Sequence, residues 1–310
     1  MSRQMLAIRH LERADIESLV ANAASLKADV LAGKPIDAKR AHTVGLLFFE
    51  NSTRTRVSFE QACNYLGYRF VNFSGSGSSL SKGESLKDTI LTLKHERLEA
   101  VVMRHKSSGA AQLAAGYFDG PIINAGDGQH EHPTQALGDA LTIQERLGKL
   151  SGLKIAIVGD VLHSRVARSN SWLLSKLGNE VRFVGPRSLI PSFTSKLPGD
   201  VYYNLREGLL GADVVMCLRL QRERMDDGRL SSISEFSRLY QVNRSTIKSA
   251  APHAIVMHPG PLNRGVELDD ATADGPQSAI SDQVQNGIFV RMAVLKWIFE
   301  PSAAASEVKA

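Results

Sequence analysis

The chain has 310 residues, 43% hydrophobic and 22% charged, which describes a soluble globular protein long enough for two domains of ordinary size. The net charge is +5, but Lys and Arg are dispersed and aromatics amount to 6%, so there is no stacking platform and no nucleic-acid partner is expected. The two cysteines, Cys63 and Cys217, fit neither a disulfide framework nor a Cys-x-x-Cys metal knuckle and read as small buried apolar residues.

Met1 to His10 carries charges and no long apolar core, and no apolar run approaches a membrane span. The expectation is a cytoplasmic protein with no membrane partner. Asp15 to Ala32 then reads as an amphipathic helix closed by Gly33. Strands are predicted at Thr43–Phe49, Tyr68–Phe73 and Ala100–Arg104, with helices Thr53–Leu66 and Glu84–Arg97 between them. In the first of these helices Val57, Ala62 and Leu66 are taken as the buried face, with Gly67 as its stop. A short strand near Ile122 leads to a helix opening at Pro133, where a missing N–H costs nothing.

The second half repeats the alternation. Strands are predicted at Lys154–Val158, Val181–Val184, Val214–Leu218 and Ala254–Met257, and helices at Val166–Leu177 and Asp282–Phe299. Alternating strands and helices imply an α/β architecture with parallel sheets covered on both faces. The natural division lies near Leu147–Gly152, and Pro301 to Ala310 reads as a flexible tail.

The most informative stretch is Ser52-Thr53-Arg54-Thr55-Arg56, where a buried strand hands over to a helix N-terminus. Unpaired N–H groups and the positive end of the helix dipole favour an anion there. Three hydroxyls and two guanidiniums exceed what a helix cap needs, so the cluster reads as a phosphate or acyl-phosphate site. Arg104 ends the third strand, where ligands of α/β sheets lie, and a guanidinium can hold a phosphate through two bonds. His130 and His132, two apart, are a pair that a metal could use, but further ligands at usable spacing are missing, and no metal is expected. Gly159-Asp160 lacks a G-x-G-x-x-G context and no Walker A segment occurs, so neither dinucleotide nor ATP chemistry is expected. Two polar loops stand out: the glycine-serine run 74–79 with Lys82 just beyond it, and Arg219 to Ser234.

Five segments in register carry a family resemblance: Ser52–Arg56, Lys82–Thr89, His132–Asp139, Arg219–Arg224 and His258–Gly265. Together they resemble the aspartate and ornithine carbamoyltransferases over nearly the whole chain. The resemblance implies two doubly wound parallel-sheet domains with the active site in the interdomain and intersubunit cleft. Residues 1–148 would bind carbamoyl phosphate, with helix 282–300 packing back on them, and residues 149–281 would bind the second substrate.

The implied carbamoyl-phosphate residues are Ser52, Thr53, Arg54, Thr55, Arg104, His132, Gln135, Gly260 and Pro261. Of these, His132, Arg54, Thr55 and Arg104 are the expected catalytic groups, His132 donating to the carbonyl oxygen. Lys82, Arg165, Arg219 and Gln221 would hold the second substrate. Ser78, Ser79 and Lys82 belong to the loop that reaches a neighbouring subunit, and the two serines are alternatives for one role. Steps reading His-Pro-Thr-Gln and His-Pro-Gly-Pro, with paired guanidiniums in Arg219–Arg224, suit a dicarboxylate and repel an amine. Aspartate is therefore expected over ornithine, and the pathway is pyrimidine biosynthesis. No cofactor is implied. A homotrimer is implied, while assembly with a regulatory chain or a dihydroorotase stays open. The identity of the general base also stays open, the leaving phosphate being one acceptor for the amine proton. A different class of reading, an inactive scaffold paralogue, should have lost site residues, and none of the main ones is missing.

Overall fold

The computed structural model describes residues 3–36, 40–74, 83–192, 196–221 and 232–299. Ser78, Ser79 and Lys82, residues 222–231 of the second polar loop and the tail beyond Phe299 lie outside the described residues. In chain order the first elements are α1 (Arg13–Leu31), β1 (Thr43–Phe48), α2 (Thr53–Tyr65), β2 (Arg69–Ser74), α3 (Leu86–His95), β3 (Ala100–His105), α4 (Ala110–Ala115), β4 (Ile122–Asp127) and α5 (Pro133–Leu147). There follow β5 (Lys154–Val158), α6 (Arg165–Lys176), β6 (Glu180–Val184), β7 (Asp200–Tyr202), α7 (Leu205–Leu209), β8 (Val214–Cys217), α8 (Ile233–Tyr240), β9 (Ile255–Met257), α9 (Asp270–Ala273) and α10 (Ile280–Phe299). No described helix is long and apolar enough to cross a membrane.

The chain divides into two compact units, residues 1–141 with 285–310 and residues 142–284. The boundary falls inside α5, two turns before the end of that helix. Its last turns belong to the second unit because Arg146 donates there to the carbonyls of Pro276 and Ser278 and to Asp282. Most of α10 belongs to the first unit. Lys27 of α1 donates to Asn286 at 2.7 Å, and Arg3 donates to the Trp297 carbonyl and lies over its ring.

The first unit is built on a four-stranded sheet in the order β2-β1-β3-β4, every pairing parallel. All of β4 and all but the first residue of β1 are buried; β1 therefore reads as a near-continuous apolar run, whereas β4 also buries the polar Asn124 and Asp127. Helices α3 and α4 cover one face, with Ile90, Leu93, Ala111 and Ala114 packed on Leu47, Val101, Met103 and Ile122. Helix α2 corrects one expectation. Its buried face is Thr55, Phe59, Ala62, Cys63 and Leu66, whereas Val57 is 43% exposed. Residues 55, 59, 62 and 66 follow the three- and four-residue spacing of a helix, and position 57 lies half a turn from that stripe.

The second unit holds a five-stranded sheet, also wholly parallel, in the order β7-β6-β5-β8-β9. Its core runs from Ala156, Val158, Val215, Cys217 and Val256 of the sheet to Leu205, Leu209, Phe236 and Tyr240 of α7 and α8. Each sheet has one place where the strand order reverses. In the first it lies between β1 and β3, in the second between β5 and β8, and such a switch point leaves a crevice beyond the carboxyl ends of the two strands.

The crevice in the second unit depends on Gly159. Its φ is +120°, and a Cβ there would stand 2.8 Å from the Leu218 carbonyl oxygen, so β5 and the end of β8 meet backbone to backbone. Gly159→Ala is expected to destabilise the fold by at least about 1 kcal/mol, because a non-glycine residue held in such a region costs about 1–3 kcal/mol. Denaturant titration checks this. Unchanged stability would contradict the close approach.

Candidate active site

In the first unit three neighbouring strands deliver the expected anion-binding residues to one edge of the sheet. Ser52 to Thr55 follow β1, Arg104 lies at the end of β3, and His132 and Gln135 follow β4. Phe48 pairs in register with Arg104, and Phe49 N–H donates to the Arg104 carbonyl at 2.9 Å, so the first two clusters share the switch point.

Ser52 is the N-cap of α2, with an extended backbone, yet its side chain makes no capping hydrogen bond. The N-cap serines of α3, α6 and α8 behave differently: Ser85, Ser164 and Ser232 each accept from the N–H three residues on. The Ser52 hydroxyl and the first-turn N–H groups of α2 are thus left as donors for an anion. Arg54 is exposed and Thr55 buried. Arg56, two residues on from Arg54 and so on another side of the helix, faces Glu60 at 3.6 Å.

Arg104 is 14% exposed in its side chain, and its Nε donates to Glu50 Oε2 at 3.1 Å. Glu50 fixes the plane of the guanidinium, a role no sequence signal announces because the two residues are 54 apart. His132 is buried at the mouth of α5, and its carbonyl accepts from the N–H of Gln135 and Ala136. His130 turns instead toward Asp127, at 3.1 Å. Burial works against the Asp127 charge, but hydrogen bonds from His130, Asn124 and Gly109 outweigh it and hold that carboxyl below the usual range. Gln135 donates Nε2 to Asp139 at 2.9 Å.

In the second unit the switch point gathers the residues expected to hold two carboxylates. Arg165 is buried in the first turn of α6, whose N-cap Ser164 follows β5, and Arg219 and Gln221 follow β8. Asp160, wholly buried, organises this end of the sheet. It accepts from the His163 N–H and ring and from the Gln221 N–H, 61 residues away. The Gln221 side chain donates to the His163 carbonyl at 3.4 Å, so part of its donor capacity is already shared.

Gly260 and Pro261 follow β9 and are joined by a cis peptide. Their loop is shaped from beneath by two buried residues. Gly260 N–H donates to His258 Nδ1, which leaves Nε2 to face Glu267 at 3.2 Å, and Glu267 also accepts from Asn263 N–H at 2.6 Å. Glu50, Asp139, Asp160 and Glu267 are the residues that sequence reasoning missed. The partners of Glu50 and Asp160 are set by the fold, whereas Asp139 stands four residues from Gln135 on one helix, a spacing the sequence does show.

The edges of both sheets therefore present guanidiniums, hydroxyls and backbone N–H groups suited to small, highly anionic ligands. Family models also divide the chain in two, but leave α10 with the second part. Residues 3–145 match the carbamoyl-P binding domain, and residues 151–298 the Asp/Orn binding domain, of aspartate/ornithine carbamoyltransferases. The chain is 48% identical over 295 residues to the aspartate carbamoyltransferase catalytic subunit of Moorella thermoacetica, covering 94% of this chain and 96% of that one. The structure of Trypanosoma cruzi aspartate transcarbamoylase in complex with carbamoyl phosphate and aspartate superposes with a TM-score of 0.86 at 34% identity, over 95% of this chain and 96% of that one. Ornithine carbamoyltransferase from Pyrococcus furiosus gives a TM-score of 0.87 at 28% identity, over 97% and 98% of the two chains. With both domains matched and nearly half of its residues shared with one member, the chain belongs to the aspartate/ornithine carbamoyltransferase family.

Proposed function

We infer that this chain transfers the carbamoyl group of carbamoyl phosphate to the amine of L-aspartate, giving N-carbamoyl-L-aspartate and phosphate for pyrimidine biosynthesis. The observation that carries the aspartate assignment is the pair Arg165 and Arg219 at the switch point of the second sheet. Two guanidiniums match two carboxylates, and neither suits the side-chain amine of ornithine.

The phosphate is held by Ser52, the first-turn N–H groups of α2, Arg54 and Arg104. Thr55, Arg104 and His132 donate to the carbonyl oxygen. Gln135 accepts from the carbamoyl NH2, together with backbone carbonyls around Gly260 and Pro261. Arg165, Arg219 and Gln221 hold aspartate, and Lys82 serves both substrates. The amine lone pair forms a bond to the carbonyl carbon while the C=O electrons move onto oxygen. The tetrahedral intermediate collapses, the bond to phosphate breaks, and the amine proton passes to the leaving phosphate. Orientation and oxyanion stabilisation supply the acceleration, with no cofactor.

The active form on this reading is a cyclic homotrimer. Val57, Tyr65 and Val71, on α2 and β2, are large apolar residues left 43–49% exposed, a feature that supports an interface there. Two buried free thiols, Cys63 and Cys217, support a reducing, cytoplasmic setting.

Phosphate release is expected with carbamoyl phosphate and L-aspartate, without added metal or nucleotide, and not with L-ornithine. No release, or release with ornithine, would overturn the assignment. Arg219→Ala should raise the KM for aspartate at least about thirty-fold, since losing one partner of a hydrogen-bonded charge pair costs about 2 kcal/mol or more. The KM for carbamoyl phosphate should stay within a few-fold. A selective loss of carbamoyl phosphate binding would move Arg219 to the other substrate.

A further inference from the structure

Gln135 can meet a ligand with either end of its amide, and the two ends have opposite chemistry. Nε2 donates and Oε1 accepts. Its Nε2 is engaged by Asp139 at 2.9 Å, one helical turn further along α5. Asp139 is 0% exposed. An ionised carboxylate can only accept, so it binds the NH2 end of Gln135 and leaves the carbonyl end for the ligand.

A buried cation lies on the neighbouring helix. Helices α5 and α10 approach closely at Gly138 and Gly287, where a Cβ on Gly138 would stand 3.8 Å from Gly287 Cα. One residue beyond Gly138 is Asp139, and one turn beyond Gly287 is Arg291. Arg291 is buried, donates to the Gly287 carbonyl at 2.7 Å and lies over the Phe59 ring of α2 at 5.2 Å. Burial pushes the Arg291 guanidinium down to about 10, opposed by the Asp139 charge, so it stays cationic at neutral pH.

We propose that Asp139, backed by Arg291, is a positioning residue that fixes the polarity of the Gln135 amide and so makes the site select a carbamoyl phosphate over an acetyl phosphate. This rests on the reading above that Gln135 meets the carbamoyl NH2. The two ligands share the phosphate and the carbonyl, and they differ in an NH2 that needs an acceptor against a methyl that needs none. A site whose acceptor is fixed rejects the analogue lacking the donor, because its own buried oxygen would be left unsatisfied.

The test compares the KM for carbamoyl phosphate with the Ki of acetyl phosphate as its competitor, which needs no turnover of the analogue. In the intact enzyme Ki should exceed KM by about tenfold or more. Asp139→Asn offers Gln135 both a donor and an acceptor, so the amide is no longer held one way round, and the ratio should fall at least about tenfold. Because Asp139→Asn leaves Arg291 buried without its anion, the double variant Asp139→Asn with Arg291→Met is measured alongside, with thermal unfolding of both. Removing both charges avoids the uncompensated buried charge that makes removal of one partner costly. The double variant should therefore fold and still lack selectivity. An unchanged ratio in the folded variants, or an intact enzyme with Ki equal to KM, would overturn the proposal and leave Asp139 a structural residue. Absence of any carbamoyl transfer by the intact enzyme would instead overturn the reading on which it rests.

Discussion

His132→Ala should lower kcat by about 10²- to 10³-fold, the loss of about 2.7–4 kcal/mol seen when one oxyanion donor is removed. The residue is 4% exposed, at the N-terminus of a helix whose first residue is proline and whose first N–H bonds close on the His132 carbonyl. The backbone there is fixed, so the imidazole is held in place before substrate arrives. Its bond to the carbonyl oxygen strengthens as negative charge builds in the tetrahedral state. The effect should therefore fall on kcat, with the KM for carbamoyl phosphate changing much less. His132→Gln restores an N–H donor in the same region and should recover part of the loss. Steady-state kinetics of the two variants check this. A loss confined to KM would make His132 a ground-state binding residue, and an unchanged kcat would remove it from the chemistry.

Much of the fold was legible because of one physical fact. Strands buried on both faces leave continuous apolar runs, and Thr43–Phe48 and Val214–Cys217 are such runs. The start of α5 was legible because Pro133 marks it. The short elements were not. Ala110–Ala115, Asp200–Tyr202 and Leu205–Leu209 are too brief to show a period and are held by the sheet they touch. The buried face of α2 was misread because Val57 is apolar, while its stripe includes Thr55 and Ser58, which the packing buries despite their hydroxyls.

The anion-binding residues were legible for a different reason. A phosphate needs hydroxyls, guanidiniums and free N–H groups together, and a strand-to-helix handover puts them next to one another in sequence. The groups that orient them leave no such trace. Glu50 reaches Arg104, and Asp160 reaches Gln221, only because parallel neighbours in a sheet come from distant parts of the chain.

Mixing two inactive variants should restore activity if the proposed shared site is right. Lys82→Ala removes the loop lysine, which lies outside the described residues, and Arg54→Ala removes a guanidinium at the second position of α2. Each alone should be nearly inactive. In a head-to-tail ring every site takes Arg54 from one protomer and Lys82 from the next. A site in the mixed ring is intact when an Lys82→Ala chain supplies Arg54 and an Arg54→Ala chain supplies Lys82. With random exchange at equal amounts each condition holds half the time, so recovery should approach about one quarter of the unmutated activity, given a closed ring of equivalent interfaces. If one chain supplied both residues, every site would carry one of the two lesions whatever the mixing. Subunit exchange is verified by mass measurement of intact oligomers, and phosphate release is then followed against mixing ratio. Recovery that peaks at equal amounts supports the shared site. Verified mixed oligomers with no recovery would reject it.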